Sequence, residues 1–330
     1  MPRENNLNFS IVIPLKTVNK YLKENIHHIQ NLEFQDWEAI VISDQIEENP
    51  WIDDSRIKMF SSGAVGPAKK RDLGVKESSG DIIVFLDDDS YPSQNLLSVL
   101  KKGFENLEVA AIGGPGITPE SNTNLQKISG AVFLSKFTGG NPERYIPVGL
   151  ICEVDDWPTV NFAIRRSVFL SVGGFNSKYW PGEDTEFCLK LKEQNYKIFY
   201  FPTAVVWHHR REGLARHLRQ IGNYGLHRGY FARHLPGNSL KIRYFLPSIV
   251  SLLFITSPLK YLFSQIDVFW NVGYSMYAIA IALGVLDITQ KTNLKLAILA
   301  VPYIVSTHFW YGLKFIRGFF MTTPLVSKLR

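Results

Sequence analysis

Residues 81–92, DIIVFLDDDSYP, constrain the fold of this chain more than any other stretch. Ile82 to Leu86 form a run of five large or β-branched apolar side chains, and Asp87, Asp88 and Asp89 follow at once. A short apolar run closed by turn residues is the pattern of a strand buried on both faces. Three adjacent carboxylates at its end repel one another, and partial burial makes their charge costly. A divalent cation removes both penalties, because Mg2+ and Mn2+ prefer carboxylate oxygen and commonly complete their shell with substrate phosphates. The carboxyl ends of strands are also where ligands bind in open α/β sheets. The stretch therefore points to a metal–diphosphate site on Asp87 to Asp89. A solvated acidic turn is the plainer alternative.

The flanking segments supply a sheet for that strand. FSIVIPL (9–15), EAIVISD (38–44) and RIKMFSS (56–62) read as strands. Lys16 to Asn31, with apolar residues at Tyr21, Leu22, Ile26 and Ile29, reads as a helix. Strand, helix and strand with short connections begin a parallel α/β sheet. A loop punctuated by Gly63, Gly66 and Pro67 opens a helix carrying Lys69, Lys70 and Arg71 in its early turns. Free N–H groups and cationic side chains there suit a phosphate or nucleotide, although a solvated basic face has the same composition. Gln94 to Asn106 is expected as a helix and VAAIGGPGI (109–117) as a strand leading to a Gly-rich turn. Residues 118–150, with a helical patch at Leu125–Phe133, are expected to be irregular structure over a site. Thr159–Ile164 reads as a strand and Arg166–Val172 as a short helix.

A second acidic constellation lies at 180–200. Trp180–Pro181–Gly182 form a turn, and Glu183 and Asp184 open a helix. Acids at a helix start complement its dipole, so capping alone accounts for them. The pair also suits a general base beside an acceptor-binding acid. KIFYFPTAVVWHH (197–209) reads as a strand ending in His208 and His209. Imidazole is a ligand for Mn2+ or Zn2+, and a structural role is the alternative.

Charge divides the chain. Residues 1–209 carry net −6 and residues 210–330 net +12, within an overall +6. Cys152 and Cys188 give neither a disulfide framework nor metal-ligand spacing. MPRENNLNFS is polar and is not expected to be a signal peptide. From Arg210 to Arg243 the chain is basic, with apolar residues near helical spacing, as in an amphipathic helix on an anionic membrane surface. The apolar segments 244–263, 268–286 and 296–313 follow, each of roughly membrane-spanning length and rich in aromatic residues at the ends. They favour membrane lipids over nucleic acid as the partner of the basic helix, and a soluble helical core domain is the alternative. The basic stretch before the first span places that side in the cytoplasm. Three full spans would put Lys314, Arg317, Lys328 and Arg330 outside, against the same rule, so the last segment is re-entrant or interfacial, or the count is three. The expected parts are a catalytic domain at 1–209, interfacial helices at 210–243 and membrane helices at 244–330.

In this order and spacing the motifs resemble the membrane-associated family 2 glycosyltransferases over roughly residues 8–235. The resemblance rests on IVIPLK, VISD, GPAKKRDLGV, FLDDDSYP, VNFAIRRSVFLSVGGF, GEDTEF and WHHRR. It implies a GT-A (Rossmann-like) nucleotide-sugar-binding domain with a mainly parallel sheet, followed by a helical membrane region. It implies a sugar transfer with Mn2+ or Mg2+ as cofactor and a nucleotide-sugar donor; one base and no covalent intermediate mean inversion, and a catalytic domain on a basic interfacial helix followed by spans makes polyprenyl phosphate or a polyprenyl-linked saccharide the expected acceptor. Pro14 and Asp44 are then expected among the nucleotide-binding residues, with Arg71 beside the base and Asp87 near the ribose and diphosphate. Asp89 is the expected metal ligand, with Asp88 alongside and His208 as a further metal or diphosphate contact. Asp184 matches the general base and Glu183 the residue orienting the acceptor hydroxyl. Asn161 lies on the strand lining the sugar and acceptor pocket, and Arg210 and Arg211 add positive charge at the diphosphate. Gln45 and Asp72 depart from the family pattern, where Asp and Asn are usual. Processive polysaccharide synthases carry Gln-x-x-Arg-Trp before the membrane, and RHLRQIGNYG (216–225) lacks the Trp. A processive synthase, an inactive membrane scaffold of this fold and a metal-dependent phosphohydrolase are the rival functions.

Overall fold

The computed structural model describes residues 7–46, 48–263 and 267–325. The first residues, 1–6, and the charges of Lys328 and Arg330 lie outside them. The chain forms two compact units. One holds the residues up to Ile117 together with Ile146–His208, and the other holds Thr118–Tyr145 with His209–Leu325.

The first unit is built on strands β1 (Phe9–Pro14), β2 (Trp37–Ser43), β3 (Ile57–Ser61), β4 (Ile82–Leu86), β5 (Ser90–Pro92), β6 (Val109–Gly113), β7 (Gly116–Ile117), β8 (Cys152–Val154), β9 (Asn161–Arg165), β10 (Lys197–Tyr200) and β11 (Val206–His208). Eight of them form a mixed sheet in the order β3-β2-β1-β4-β9-β6-β10-β8. β3, β2, β1 and β4 run parallel, and β9 is inserted antiparallel between β4 and β6. Every residue of β1, β2 and β4 is buried, because helices cover both faces. Alternation along β1 sorts the two cores. Ile11 and Ile13 meet the helices Lys20–Gln30 and Leu96–Phe104 through Leu22, Ile26 and Leu100. Val12 on the opposite face joins Val75, Phe169 and Phe187 from the helices Pro67–Lys76, Arg166–Ser171 and Glu183–Glu193.

Two departures from the sequence reading shape the site. The segment expected as one strand over 197–209 is two strands. β10 stays in the large sheet, and β11 joins a second, three-stranded sheet in the order β5-β11-β7. Pro202, which has no N–H to donate to a ladder, falls in the break. Ser90 to Pro92, expected as a turn, is instead β5. It pairs antiparallel with β11 and sets His208 opposite Ser90. Pairings this short leave no periodicity to read.

The second unit contains the helices Asn124–Ala131, Leu214–His234, Leu246–Thr256, Asp267–Lys291 and Leu294–Phe319. Ile242–Tyr261, Asp267–Lys291 and Leu294–Phe319 are long and apolar enough to cross a membrane. Residues 118–145 are more ordered than expected. Thr123 and Gln126 form a capping box that starts the Asn124–Ala131 helix, and buried histidines tie the segment to the C-terminal helices. The His217 ring bonds the Ser129 hydroxyl at 2.7 Å and that of Thr307 at 2.8 Å. His308 bonds the Thr138 carbonyl at 2.8 Å and the Tyr277 hydroxyl at 2.9 Å.

Neutral imidazole has one donor and one acceptor, which suits two hydroxyls. Burial pushes the His217 pKa down to about 4. Its folded value lies below its unfolded value of ~6.5, so its neutral form contributes stability at higher pH, and that stability is lost as pH falls from ~6.5 through 4. Thermal unfolding in detergent should show the wild type losing stability across this window, by ~3 kcal/mol at most. His217→Gln should be less stable at pH 7.5 and show a flatter pH profile. An unchanged profile in the variant would remove His217 as the titrating group.

Candidate active site

Because β2, β1 and β4 run parallel and in register, their carboxyl ends open along one edge. That edge carries Pro14 as the last residue of β1, Asp44 just past β2 and Asp87 just past β4. Asp44 is ion-paired with Lys70, whose ammonium also donates to the Leu15 carbonyl. Lys70 is buried, and its two acceptors tie the end of β1 to the end of β2.

The three aspartates divide two to one. Asp87 and Asp89, with His208, bring one ligand atom each within 4.8 Å of one another. His208 Nε2 lies 3.2 Å from Asp89 Oδ1, close enough for one cation to touch both. The pairing of β5 with β11 accounts for this approach, since it sets His208 opposite the residue after Asp89. Two carboxylates and an imidazole form a donor set that fits a divalent cation. Asp88 accepts instead from the Asn19 side-chain amide. Asn19 also caps the Lys20–Gln30 helix, its Oδ1 accepting from the Leu22 amide at 3.0 Å.

Arg71 joins the two acidic constellations. It is buried, with one nitrogen 2.8 Å from Asp87 Oδ1 and another 2.8 Å from Glu183 Oε1. Burial alone would lower its pKa, but the charges of Asp87 and Glu183 outweigh burial and hold it above its ordinary value. A planar guanidinium can donate to two carboxylates in different directions at once, which a lysine ammonium does with poorer geometry. Gly182, with φ of 111°, turns the chain into the helix that Glu183 opens. Glu183 is buried and committed to Arg71, whereas Asp184 is only half-buried. Asp184 Oδ1 accepts from the Thr185 amide at 2.8 Å.

Other expected residues have different surroundings. Asn161 is buried, and its amide nitrogen donates to the carbonyls of Pro115 at 3.1 Å and Ala204 at 2.7 Å. Those bonds make it a strut between β9, the turn after β6 and the loop before β11. Asp72 is held by two backbone amides. It accepts from the Phe175 and Asn176 amides at 2.8 and 3.0 Å, and burial raises its pKa against those bonds. Arg210 belongs to the second unit, where its Nε donates to Thr118 at 3.1 Å and its guanidinium lies 4.7 Å from the Tyr145 ring centroid. Arg211 belongs to the same unit, and so does His209, bonded to Asn122 at 2.6 Å. Sequence reasoning gave no individual role to Lys70 and missed Asn19. An Asn just ahead of an amphipathic segment is a helix-start signal and marks Asn19, but nothing in a run of three basic residues says that the second turns inward.

A mixed sheet with an acidic metal-type cluster at the ends of parallel strands is the GT-A architecture of nucleotide-sugar enzymes. A mannosyltransferase from Pyrobaculum calidifontis, solved with GDP-mannose and Mn2+, shares this fold with a TM-score of 0.54 at 14% identity, over 95% of this chain and 87% of that one. The enzyme GalNAc-T7, solved with UDP, GalNAc and Mn2+, aligns with a TM-score of 0.50 at 17% identity, over 72% and 52% of the two chains. Residues 82–310 match the family described as glycosyl transferase family group 2, and the chain belongs to that family. A pre-mycofactocin glycosyltransferase of Mycobacterium tuberculosis is 28% identical over 160 residues, 48% of this chain and 33% of that protein. The GalNAc(5)-diNAcBac-PP-undecaprenol β-1,3-glucosyltransferase of Campylobacter jejuni is 26% identical over 198 residues, 57% of this chain and 61% of that protein. A Methanococcus voltae glucuronosyltransferase named for dolichyl N-acetylglucosaminyl phosphate is 22% identical over 244 residues, 69% and 75% of the two. The chain thus spans a third of the length of the mycobacterial relative and under two thirds of the Campylobacter one.

Arg71→Met should leave two carboxylates facing each other without their cation, at a cost of about 3–5 kcal/mol. It should unfold at clearly lower temperature than wild type. Arg71→Lys should restore most of that stability, yet bind nucleoside diphosphate with Mn2+ more weakly, because one ammonium cannot hold both acids in place. Wild-type binding by Arg71→Lys in calorimetric titration would reduce Arg71 to a stabilising charge.

Proposed function

We propose that this chain is a metal-dependent, inverting glycosyltransferase that moves a sugar from a nucleoside diphosphate to a lipid-linked acceptor at the membrane. The observation that carries the reading is the continuous path from the Asp87–Asp89–His208 cluster, through Arg71, to Glu183 and Asp184. A donor site and an acceptor site would then share one buried cation.

Asp87, Asp89 and His208 would hold Mn2+, which when bound offsets the charge of the diphosphate leaving group. Asp44, held by Lys70, is the acid for the nucleotide base, and Pro14 borders the same end of the sheet. Glu183 is ion-paired with Arg71 and suits orienting the acceptor hydroxyl. Asp184 is half-buried and follows it directly, which suits a general base. In the reaction the acceptor oxygen attacks the anomeric carbon as its bond to the β-phosphate oxygen breaks. The bonding pair leaves with the diphosphate; a saccharide hydroxyl passes its proton to Asp184, whereas a polyprenyl phosphate oxygen attacks as the anion and has no proton to give. A single displacement with one base and no covalent intermediate inverts the anomeric centre.

The acceptor class rests on two supports. Two relatives carry undecaprenol or dolichyl phosphate in their names. The chain itself has a basic helix followed by helices long enough to enter a bilayer. The excess of arginine and lysine in that basic segment supports a multi-pass membrane protein with this segment, and the catalytic domain before it, on the cytoplasmic side. Polyprenyl phosphate or a polyprenyl-linked saccharide is the acceptor that such a placement serves.

Purified protein in detergent should release one nucleoside diphosphate from a panel of nucleotide sugars when polyprenyl phosphate and Mn2+ are present, and none with chelator. With a polyprenyl-linked saccharide as acceptor, Asp184→Asn should lower the rate by about 10²–10⁴-fold while leaving donor binding intact. Near-normal transfer by Asp184→Asn would exclude it as the base. Efficient transfer to a soluble acceptor and none to lipid would overturn the acceptor class.

A further inference from the structure

We propose that Tyr91 and Trp207, stacked across the small sheet and braced by His28, are positioning residues that hold His208 at the metal cluster. The affinity for the cation then depends on a set of rings on the opposite face of that sheet. This rests on the metal site proposed above.

The two halves of the cluster reach it by different routes. Asp87 and Asp89 come from one tight turn after β4, where the Ser90 amide and hydroxyl both donate to the Asp87 carbonyl, at 3.0 and 2.8 Å. His208 comes from far along the chain and is delivered by β11. That strand is three residues long, as is β5, and β7 on its other side has two. Strands this short form few ladder bonds, and small isolated sheets are marginal in water. His208 must nevertheless keep its approach of 3.2 Å to Asp89 Oδ1 if one cation is to touch both. Metal bonds tolerate an error of only a few tenths of an ångström. The ladder by itself is a weak support for such precision.

Alternation supplies the rest. Successive side chains of a strand point to opposite faces. The register sets His208 opposite Ser90 and Trp207 opposite Tyr91, so the ligand lies on one face and the two rings on the other. The Tyr91 and Trp207 ring centroids are 5.4 Å apart, with planes 13° from parallel. Cross-strand aromatic pairs of this kind stabilise the pairing that carries them. His28, in the last turn of the Lys20–Gln30 helix, stacks on Tyr91 at 4.2 Å and 21°. Val206 is fully buried and anchors the first residue of β11 in the core, on the His208 side. Trp207 adds an anchor on the opposite side, directly before the ligand. A strand gripped on both faces resists rolling about its axis, and that fixes the direction in which the next side chain leaves.

The stack is distinct from core packing. Tyr91 and Trp207 are half-buried and His28 is exposed. None of the three belongs to either apolar core. Rings on a half-open face add little to global stability, and their effect falls on the strand that ends in His208. Groups one layer behind a metal's ligands orient those ligands and tune affinity without touching the metal.

Mn2+ binding to full-length protein in detergent tests this without turnover. The readout is the electron paramagnetic resonance signal of free Mn2+, in parallel titrations with UDP and with GDP present. Trp207→Ala should weaken Mn2+ binding by about 10–100-fold. Trp207→Phe keeps a ring and should restore most of the affinity. His28→Ala, at an exposed position, should weaken binding by less, about 2–5-fold. All three variants should melt near the wild-type temperature. In a His208→Ala background, Trp207→Ala should cause no further loss of Mn2+ affinity, because the ring acts through the imidazole. Equal losses in both backgrounds, or losses that track a lowered melting temperature, would overturn the proposal and make Trp207 a general support of the fold. Wild-type affinity in Trp207→Ala would overturn it as well. Failure of the wild type to bind Mn2+ with either nucleotide would overturn the metal site itself, which is a separate result.

Discussion

A buried guanidinium between two carboxylates is the interaction on which the first unit depends. Arg71 lies within 2.8 Å of Asp87 and of Glu183, and those acids come from parts of the chain about a hundred residues apart. Without the arginine each acid would be a charge in a poorly solvating place, and together they would repel. With it, the end of β4 and the start of the Glu183–Glu193 helix are held at a fixed spacing. A donor site at one and an acceptor base at the other must keep such a spacing, because transfer tolerates little misplacement of the reacting atoms.

The large sheet makes this possible. Helices on both faces bury β1, β2 and β4 along their whole length, and apart from the bonded pair Ser10 and Glu38 near the strand starts, polar side chains gather where the strands stop. Asp44 and Asp87 are therefore presented at one edge by the same rule that buries Ile13, Ile42 and Leu86. The small second sheet adds a ligand the large one could not supply. By leaving β10 and pairing with β5, the chain returns His208 to within 3.2 Å of Asp89.

Much of this was legible in the sequence because it follows from strong local patterns. The buried strands, the Pro67 helix start, the Asp triplet and the three long apolar helices all announce themselves by composition and spacing. What stayed hidden depends on pairings between distant residues. Two three-residue strands carry no period, so β5 looked like a turn and β11 like the end of β10. Asp72 looked like a change at the nucleotide, but its acceptor oxygens face the amides of Phe175 and Asn176. Asn161 sits on the expected strand, yet its amide serves two carbonyls. The order of residues 118–145 comes from two histidines that lie in helices far along the chain. Their inward direction is a property of the packed structure.

Asn19 illustrates how economically the metal motif is supported. One side of its amide closes the first turn of the Lys20–Gln30 helix, and the other holds Asp88. Fraying of that turn and loosening of the acidic loop are then a single event. The rigidity of the loop is set in part by how well a peripheral helix is nucleated, so a change in that helix's propensity would be felt as a change in the sharpness of the acidic loop.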